Sequence, residues 1–267
     1  MFSLINVIKD ILRFIYYRFF NKLFYTNKLE VNYNISEEDN SIFKEIQQNG
    51  YSIIDNFISK DECNSIIQEI DLFCDNRFDE VTLFEGFDNR IYGLDKASTK
   101  VNSFLNNERL VNILGKYAEN KKLTFSFTLG QKTIFKEKNP GSGLGWHIDH
   151  TVLKYPKALV YLVDVNKDNG PFQYIKGTNK LINKILIRLK NNYNFDKGKF
   201  TNHQVEEIIK KNNCNLKTFC LKAGTLILFD GNGIHRGSPL NLDKRYSLTN
   251  YYYFSTTGGN NFPMIRK

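Results

Sequence analysis

Four cysteines, four histidines, five prolines and one tryptophan are all that this chain of 267 residues carries of those types, and each shortage excludes something. Cys63, Cys74, Cys214 and Cys220 include no CxxC pair, and the first two fall in a predicted helix. That pattern fits neither a disulfide frame nor a zinc knuckle and suits reduced thiols in a cytoplasmic setting. Few prolines, seventeen scattered glycines and no low-complexity run exclude a disordered chain, and no internal repeat is visible. At the N-terminus no uncharged run approaches the ~18–20 residues that span a bilayer. Charges inside its apolar stretch and the lack of a small-residue cleavage site also exclude a signal peptide.

What is present is ample apolar and cationic material. With 41% apolar and 14% aromatic residues the chain can bury the core of one large domain or two small ones. The net charge is +9. Residues 178–222 hold ten Lys and Arg against three Asp and Glu, a local net of +7. Such a surface suits an anionic partner, whether nucleic acid, a membrane face or a phosphorylated substrate, or is simply the solvated face of a chain rich in lysine; of these partners nucleic acid is not expected. The opening "MFSLINVIKDILRFIYYRFFNKLFY" places Leu4, Ile8, Ile11, Leu12, Ile15, Phe19 and Leu23 on one side of a helical wheel. Asn6, Lys9, Asp10, Arg13 and Asn21 fall on the other. A basic, aromatic-rich amphipathic helix over residues 1–28 is the pattern of a segment lying in a membrane interface, with residues 2–25 making the contact. The competing reading is a helix docked on the protein's own core or on a second subunit.

Residues 26–35 read as a linker. Ser36 caps a predicted helix that ends at Gly50, and "YSIIDNF" reads as a strand. Ser59 followed by Glu62 spells a capping box ahead of a helix with Ile66, Ile67, Ile70, Phe73 and Cys74 on its stripe. "NERLVNILGKYAEN" is a third helix. After residue 121 the period changes to two, as Leu123, Phe125, Phe127, Leu129, Gln131, Thr133 and Phe135 alternate with their neighbours. Short strands are predicted at 145–152, 158–165, 171–176, 217–222, 225–230 and 245–254, with "KLINKILIRLKN" and "NHQVEEIIKKN" forming a helical insertion near 178–215. The order of elements implies an α+β, mainly β domain over residues 29–267, an antiparallel sandwich or jelly roll flanked by N-terminal helices.

"GWHIDHTV" packs two histidines around one aspartate, and a third, His235, lies 88 residues after His147 in "FDGNGIHRGSP". His147 and Asp149 at i and i+2 of an extended segment project to one face. Two imidazoles and one carboxylate on one side of a metal form the facial triad of non-haem Fe(II) oxygenases, so His147, Asp149 and His235 are the candidate ligands. HxD alone arises often by chance. Ten residues past His235, Arg245 can grip a carboxylate bidentately, and Ser247 on the same face can add a hydroxyl. Together they suit the far carboxylate of 2-oxoglutarate.

With these residues in view, the chain resembles the phytanoyl-CoA dioxygenase-like group of Fe(II)/2-oxoglutarate dioxygenases. The resemblance runs from about residue 49 to the last strand, through "GWHIDHT", "DVNKDNGPFQYIKGTNK", "AGTLILFDGNGIHRGSP" and "RYSLTNYY". It implies a double-stranded β-helix (jelly roll, cupin-like), iron on His147, Asp149 and His235, and 2-oxoglutarate on Arg245 and Ser247. Gln131 or Thr133 would also touch the co-substrate. The family's "PGSH" is here "IKGTNK", with Lys176 for proline and Asn179 for histidine, a change at the pocket rim. Asp149 argues against a halogenase, where a small residue stands at that position. His150 is expected to point away from the metal, His203 to be a surface residue, Trp146 to be core, and Asp230 to orient a ligand or organise a turn.

The expected activity is hydroxylation of an unactivated C–H bond using Fe(II), 2-oxoglutarate and O2. The substrate is a small molecule of anionic or lipid- or sugar-linked character. The protein would be cytoplasmic, at the inner face of a membrane if the first helix binds there. Two other readings compete: a jelly-roll binding or scaffold protein without turnover, and a cupin-like metalloenzyme that does not use 2-oxoglutarate.

Overall fold

The computed structural model describes residues 31–254 except 152 and 195, together with 8, 9, 12, 15, 16 and 264. Twelve strands of the described chain form two antiparallel sheets. The larger holds seven strands in the order β1-β10-β6-β12-β4-β3-β2: Tyr51–Ile54, Leu226–Asp230, Pro156–Tyr161, Lys244–Phe254, Leu123–Ile134, Asp88–Tyr92 and Thr82–Phe84. The smaller holds five in the order β8-β5-β11-β7-β9: Lys199–Phe200, Trp146–His147, His235–Gly237, Phe172–Ile175 and Leu216–Phe219. This is the expected jelly roll.

Strand parity decides which side of the large sheet meets which partner. On β10, β6 and β12, Leu226, Leu228, Ala158, Val160, Tyr246, Leu248, Tyr252 and Phe254 face one way. They pack on α1 (Glu37–Asn49), α2 (Lys60–Asn76), α3 (Thr99–Leu105) and α4 (Glu108–Tyr117) through Ile46, Ile66, Ile70, Phe104, Ile113 and Leu114. The alternate positions Ile227, Phe229 and Tyr161 face the small sheet and meet Phe172, Tyr174 and Phe219. The insertion consists of α5 (Leu181–Asn191) and α6 (Asn202–Asn212), whose Ile187, Val205 and Ile208 pack on Trp146, Ile148 and Ile234.

Several local expectations hold with adjustments. Ser36 accepts from the Asp39 N–H at 3.0 Å, and Gly50 closes α1 at φ 89°. Ser59 accepts from the Glu62 N–H at 3.2 Å, but no return bond from the Glu62 side chain closes the box; the reciprocal pair forms instead at Thr201 and Gln204 of α6. The strand expected over 145–152 is regular only at Trp146–His147, because the flanking backbone bonds to loops, Ile148 N–H to Gly198 and Asp149 N–H to Gly231. His235, expected just past a strand, lies on β11. The β2–β3 hairpin and α3 carry no expectation from the sequence.

The amphipathic helix expected over residues 1–28 lies outside the described residues except Ile8, Lys9, Leu12, Ile15 and Tyr16, which are helical and exposed. Among the described residues no helix is long and apolar enough to cross a membrane. All four cysteines are free thiols.

Candidate metal centre

The single residue pair that joins β5 to β11 is His147 opposite His235. Directly opposed antiparallel residues project to the same face, so the ladder sets the two imidazoles side by side, their centroids 4.3 Å apart. Each ring is turned by its own backbone. Nδ1 of His147 lies 2.9 Å from the Gly145 carbonyl and Nδ1 of His235 lies 2.9 Å from the Gly233 carbonyl. A carbonyl oxygen can only accept, so each Nδ1 carries the proton and each Nε2 presents a lone pair. Phe172 and Phe229 flank the His235 ring at 5.6 and 5.3 Å between centroids, and Tyr174 stacks on it at 6.2 Å.

Asp149 completes the group. Its Oδ2 lies 3.2 Å from Nε2 of His235, and its Oδ1 lies 3.7 Å from Nε2 of His147. All three donor atoms fall within 4.8 Å of one another. Gly231 makes this approach possible: a Cβ there would collide with Asp149 Oδ2. Burial and the neighbouring His235 push the His147 imidazole down to about 4, so it is neutral, the form that ligates. Burial alone would raise the Asp149 carboxyl, but Lys157 and then His235 hold it far below the usual carboxylate range. The two Nε2 atoms and the Asp149 carboxylate therefore converge on one point, and this two-nitrogen, one-oxygen donor set fits iron(II).

The triad opens on a cavity of about 330 Å³ between the sheets, also lined by Gln131, Lys157, Tyr161 and Arg245. Arg245 is 4% exposed, and among the described residues its guanidinium has no hydrogen-bond or ion-pair partner. Its Nη2 lies close to Gly237 of β11, next to the metal strands. Burial lowers its pKa, with Tyr161 and Asp88 only partly offsetting. A buried, uncompensated cation beside a cavity is a socket for an anion. Cross-strand register places Ser247 opposite Gln131 and Arg245 opposite Thr133. Ser247 donates to Gln131 Oε1 at 3.4 Å. Thr133 is not on the cavity wall; its hydroxyl bonds Asp88 at 3.3 Å.

Asp88 was invisible to sequence reasoning, since it sits on the unforeseen hairpin. It is fully buried and accepts from Arg90, Gln131, Ser142 and Thr133, which fixes the amide behind the socket. Lys157 was also missed. It is 3% exposed, pairs with Asp149 Oδ2 at 2.9 Å and sits 4.1 Å over the Tyr251 ring. Its signal was a lone lysine in the apolar run "KALVYLV", at the inward parity of Leu159 and Tyr161. Of the remaining sequence expectations, Trp146 is core and His203 is exposed. His150 turns away to accept from the Leu153 N–H at 3.0 Å. Asp230 organises the turn: it accepts from the Tyr155 and Asn232 N–H groups and from the Tyr117 hydroxyl. Asn179, where the related pattern has histidine, donates to the Tyr117 hydroxyl at 3.1 Å.

Comparison with known proteins places this geometry. A family model described as phytanoyl-CoA dioxygenase matches residues 46–245. No match is found among curated proteins. Among solved structures, the epimerase SnoN in complex with Fe3+, alpha ketoglutarate and nogalamycin RO aligns with TM-score 0.61 at 14% identity, covering 83% of this chain and 88% of its own. EctD from S. alaskensis with bound Fe aligns at TM-score 0.57 and 16% identity, covering 86% and 79%. HygX from Streptomyces hygroscopicus with nickel, 2-oxoglutarate and hygromycin B aligns at 0.52 and 17%, covering 82% and 87%. At these identities the structural likeness concerns the fold.

Proposed function

This chain belongs to the phytanoyl-CoA dioxygenase family, and from that premise we propose that it uses Fe(II), O2 and 2-oxoglutarate to hydroxylate an unactivated C–H bond. The substrate is a small anionic or lipid- or sugar-linked molecule. The family makes the chain a non-haem iron oxygenase; the reaction outcome and the substrate are the proposal. The observation that carries it is Arg245, a buried guanidinium that among the described residues has no partner, on the wall of the cavity that His147, Asp149 and His235 share.

His147, Asp149 and His235 would hold the iron through two Nε2 atoms and one carboxylate oxygen. Lys157 pairs with Asp149 Oδ2, which leaves Oδ1 for the metal and favours a one-oxygen grip. Arg245 would take the far carboxylate of 2-oxoglutarate, with Ser247 and Gln131 supporting the socket. That anchoring points the 2-oxo acid end toward the triad. Bound iron supplies oxidative decarboxylation of 2-oxoglutarate to succinate and CO2, which delivers one oxygen atom to the substrate. Tyr92, Tyr155, Tyr251 and Leu129 line the rest of the cavity with rings and aliphatic surface that exclude water and suit a partly apolar substrate. Arg90 and Lys157 face the same space but are already paired, with Asp88 at 2.7 Å and Asp149 at 2.9 Å, so Arg245 is the stronger anion-attracting group there.

Peripheral membrane contact through residues 2–25, at the cytoplasmic face, belongs to the same proposal. Its support is the sequence pattern together with the exposure of Ile8, Leu12 and Ile15, spaced as one helical face. Release of succinate from 2-oxoglutarate, measured with and without Fe(II), tests the enzymatic part.

A further inference from the structure

Helix α5 is amphipathic the wrong way round. Its buried side is Lys184, Ile187 and Arg188, so two of the three inward residues are cations. Its outward side carries Ile182, Leu186 and Leu189, exposed by 61%, 40% and 36% at the i, i+4, i+7 spacing of one helical stripe. A surface helix ordinarily shows the reverse, and an aliphatic stripe left in water signals something that covers it.

A cleft of about 280 Å³ adjoins the stripe and shares Leu186 with it. Lys176, Lys180 and Lys190 line this cleft, and no carboxylate does. Lys190 donates to the Lys211 carbonyl at 3.0 Å, while among the described residues Lys176 and Lys180 form no ion pair. Residues 176–195 contain five Lys and Arg and no Asp or Glu. Lys176, Lys180 and Lys190 therefore rim an apolar ridge, and among the described residues none of the three forms an ion pair with a carboxylate.

From these two features we infer that the α5 face docks on a membrane leaflet containing anionic phospholipid. Ile182, Leu186 and Leu189 enter the headgroup boundary while Lys176, Lys180 and Lys190 meet lipid phosphates beside them. Nucleic acid would use the lysines but leave the aliphatic ridge in water. A second copy meeting this face about a twofold axis would bring the same lysines together. The lipid surface satisfies both the ridge and its rim. Ile187, on the inner side of the helix, packs with Trp146 and Ile148 around the metal strand β5. Docking thus brings that strand within about one helix diameter, ~10 Å, of the leaflet. The inference goes beyond the oxygenase reading and makes no use of residues 2–25.

Flotation of the full chain with vesicles tests it, comparing phosphatidylcholine alone with phosphatidylcholine containing phosphatidylserine. The wild-type protein floats with the anionic vesicles, and a variant carrying Ile182→Gln, Leu186→Gln and Leu189→Gln floats at least fivefold less. Unchanged circular dichroism and iron-dependent 2-oxoglutarate turnover show that the variant is folded. Should it fail to fold, Lys176→Gln with Lys180→Gln, both exposed, takes its place and must remove most of the phosphatidylserine dependence. Equal flotation of variant and wild type overturns the inference and assigns membrane contact to another segment, such as residues 2–25. No flotation of either overturns it together with that N-terminal contact, and leaves the turnover result untouched. A wild-type dimer that the substitutions convert to monomer makes a second copy the occupant and also overturns it.

Discussion

At the scale of single residues, the socket and the triad make separable predictions. Lysine at position 245 would keep the charge but lose the planar two-point grip, so Arg245→Lys weakens 2-oxoglutarate binding. A hydrogen bond to a charged group contributes about 1.5–3 kcal/mol, which corresponds to roughly a tenfold to hundredfold rise in the Kd or KM for 2-oxoglutarate. Metal affinity stays as it was; an unaltered co-substrate Kd would refute the assignment. Gly231→Ala acts on the other half of the site. The new methyl meets Asp149 Oδ2, so the carboxylate must swing away. Fe(II) or Co(II) titration should show at least a tenfold loss of affinity, with the fold intact by circular dichroism. Retained metal affinity would mean that Asp149 is not a ligand. The triad was legible because HxD and a distal histidine are rare in a chain with four histidines. Arg245 lines the cavity, as its strand parity implies, whereas Ser247 at the same parity is not on the cavity wall and among the described residues reaches only Gln131. Thr133 shares that parity with Gln131, yet its hydroxyl is taken up by Asp88, and parity alone does not report such a competing partner. Lys157 could have been found as a lone cation at inward parity. Asp88 and Arg90 could not, because no periodicity marks a hairpin whose strands run three and five residues.

Among the elements, α2 offers the simplest energetic test. Ile66, Ile70 and Phe73 back the large sheet, and the Ser59 hydroxyl satisfies one free N–H at the helix start. Ser59→Ala should cost ~1 kcal/mol, the usual worth of such a cap. In a domain of this size that lowers Tm by ~2–4 °C. Turnover should not change, since α2 lies on the sheet face away from the cavity; a loss of activity with an unaltered Tm would contradict the placement. The helices were readable from capping residues and 3.6-residue stripes. Strand lengths were less so, because β5 stops where its backbone turns to bond Gly198 and Gly231, partners 50 and 82 residues along the chain. Helix α5 was foreseen as an element but not in its orientation: its pattern of apolar and basic residues does not say which face turns inward.

For the molecule as a whole, two parts stand on different footing. If residues 2–25 contact a membrane, a chain beginning at residue 29 keeps its fold and its iron-dependent turnover but floats less with anionic vesicles than the full chain. Near the surface each Lys or Arg contributes ~1 kcal/mol of attraction, so salt should release the full chain as well. Loss of the fold on truncation would instead make that segment part of the domain. Two sheets bring a two-histidine, one-carboxylate metal site and an arginine socket to one cavity, an arrangement suited to consuming 2-oxoglutarate. The most direct test of that use is succinate release from 2-oxoglutarate by purified protein, with Fe(II) and O2 present and no added substrate, alongside His147→Ala. The wild type should release succinate only when Fe(II) is supplied, the folded variant at least a hundredfold less, and that variant should bind no metal. Wild-type protein that binds neither Fe(II) nor 2-oxoglutarate and releases no succinate would contradict that use and leave a jelly-roll binding protein in its place.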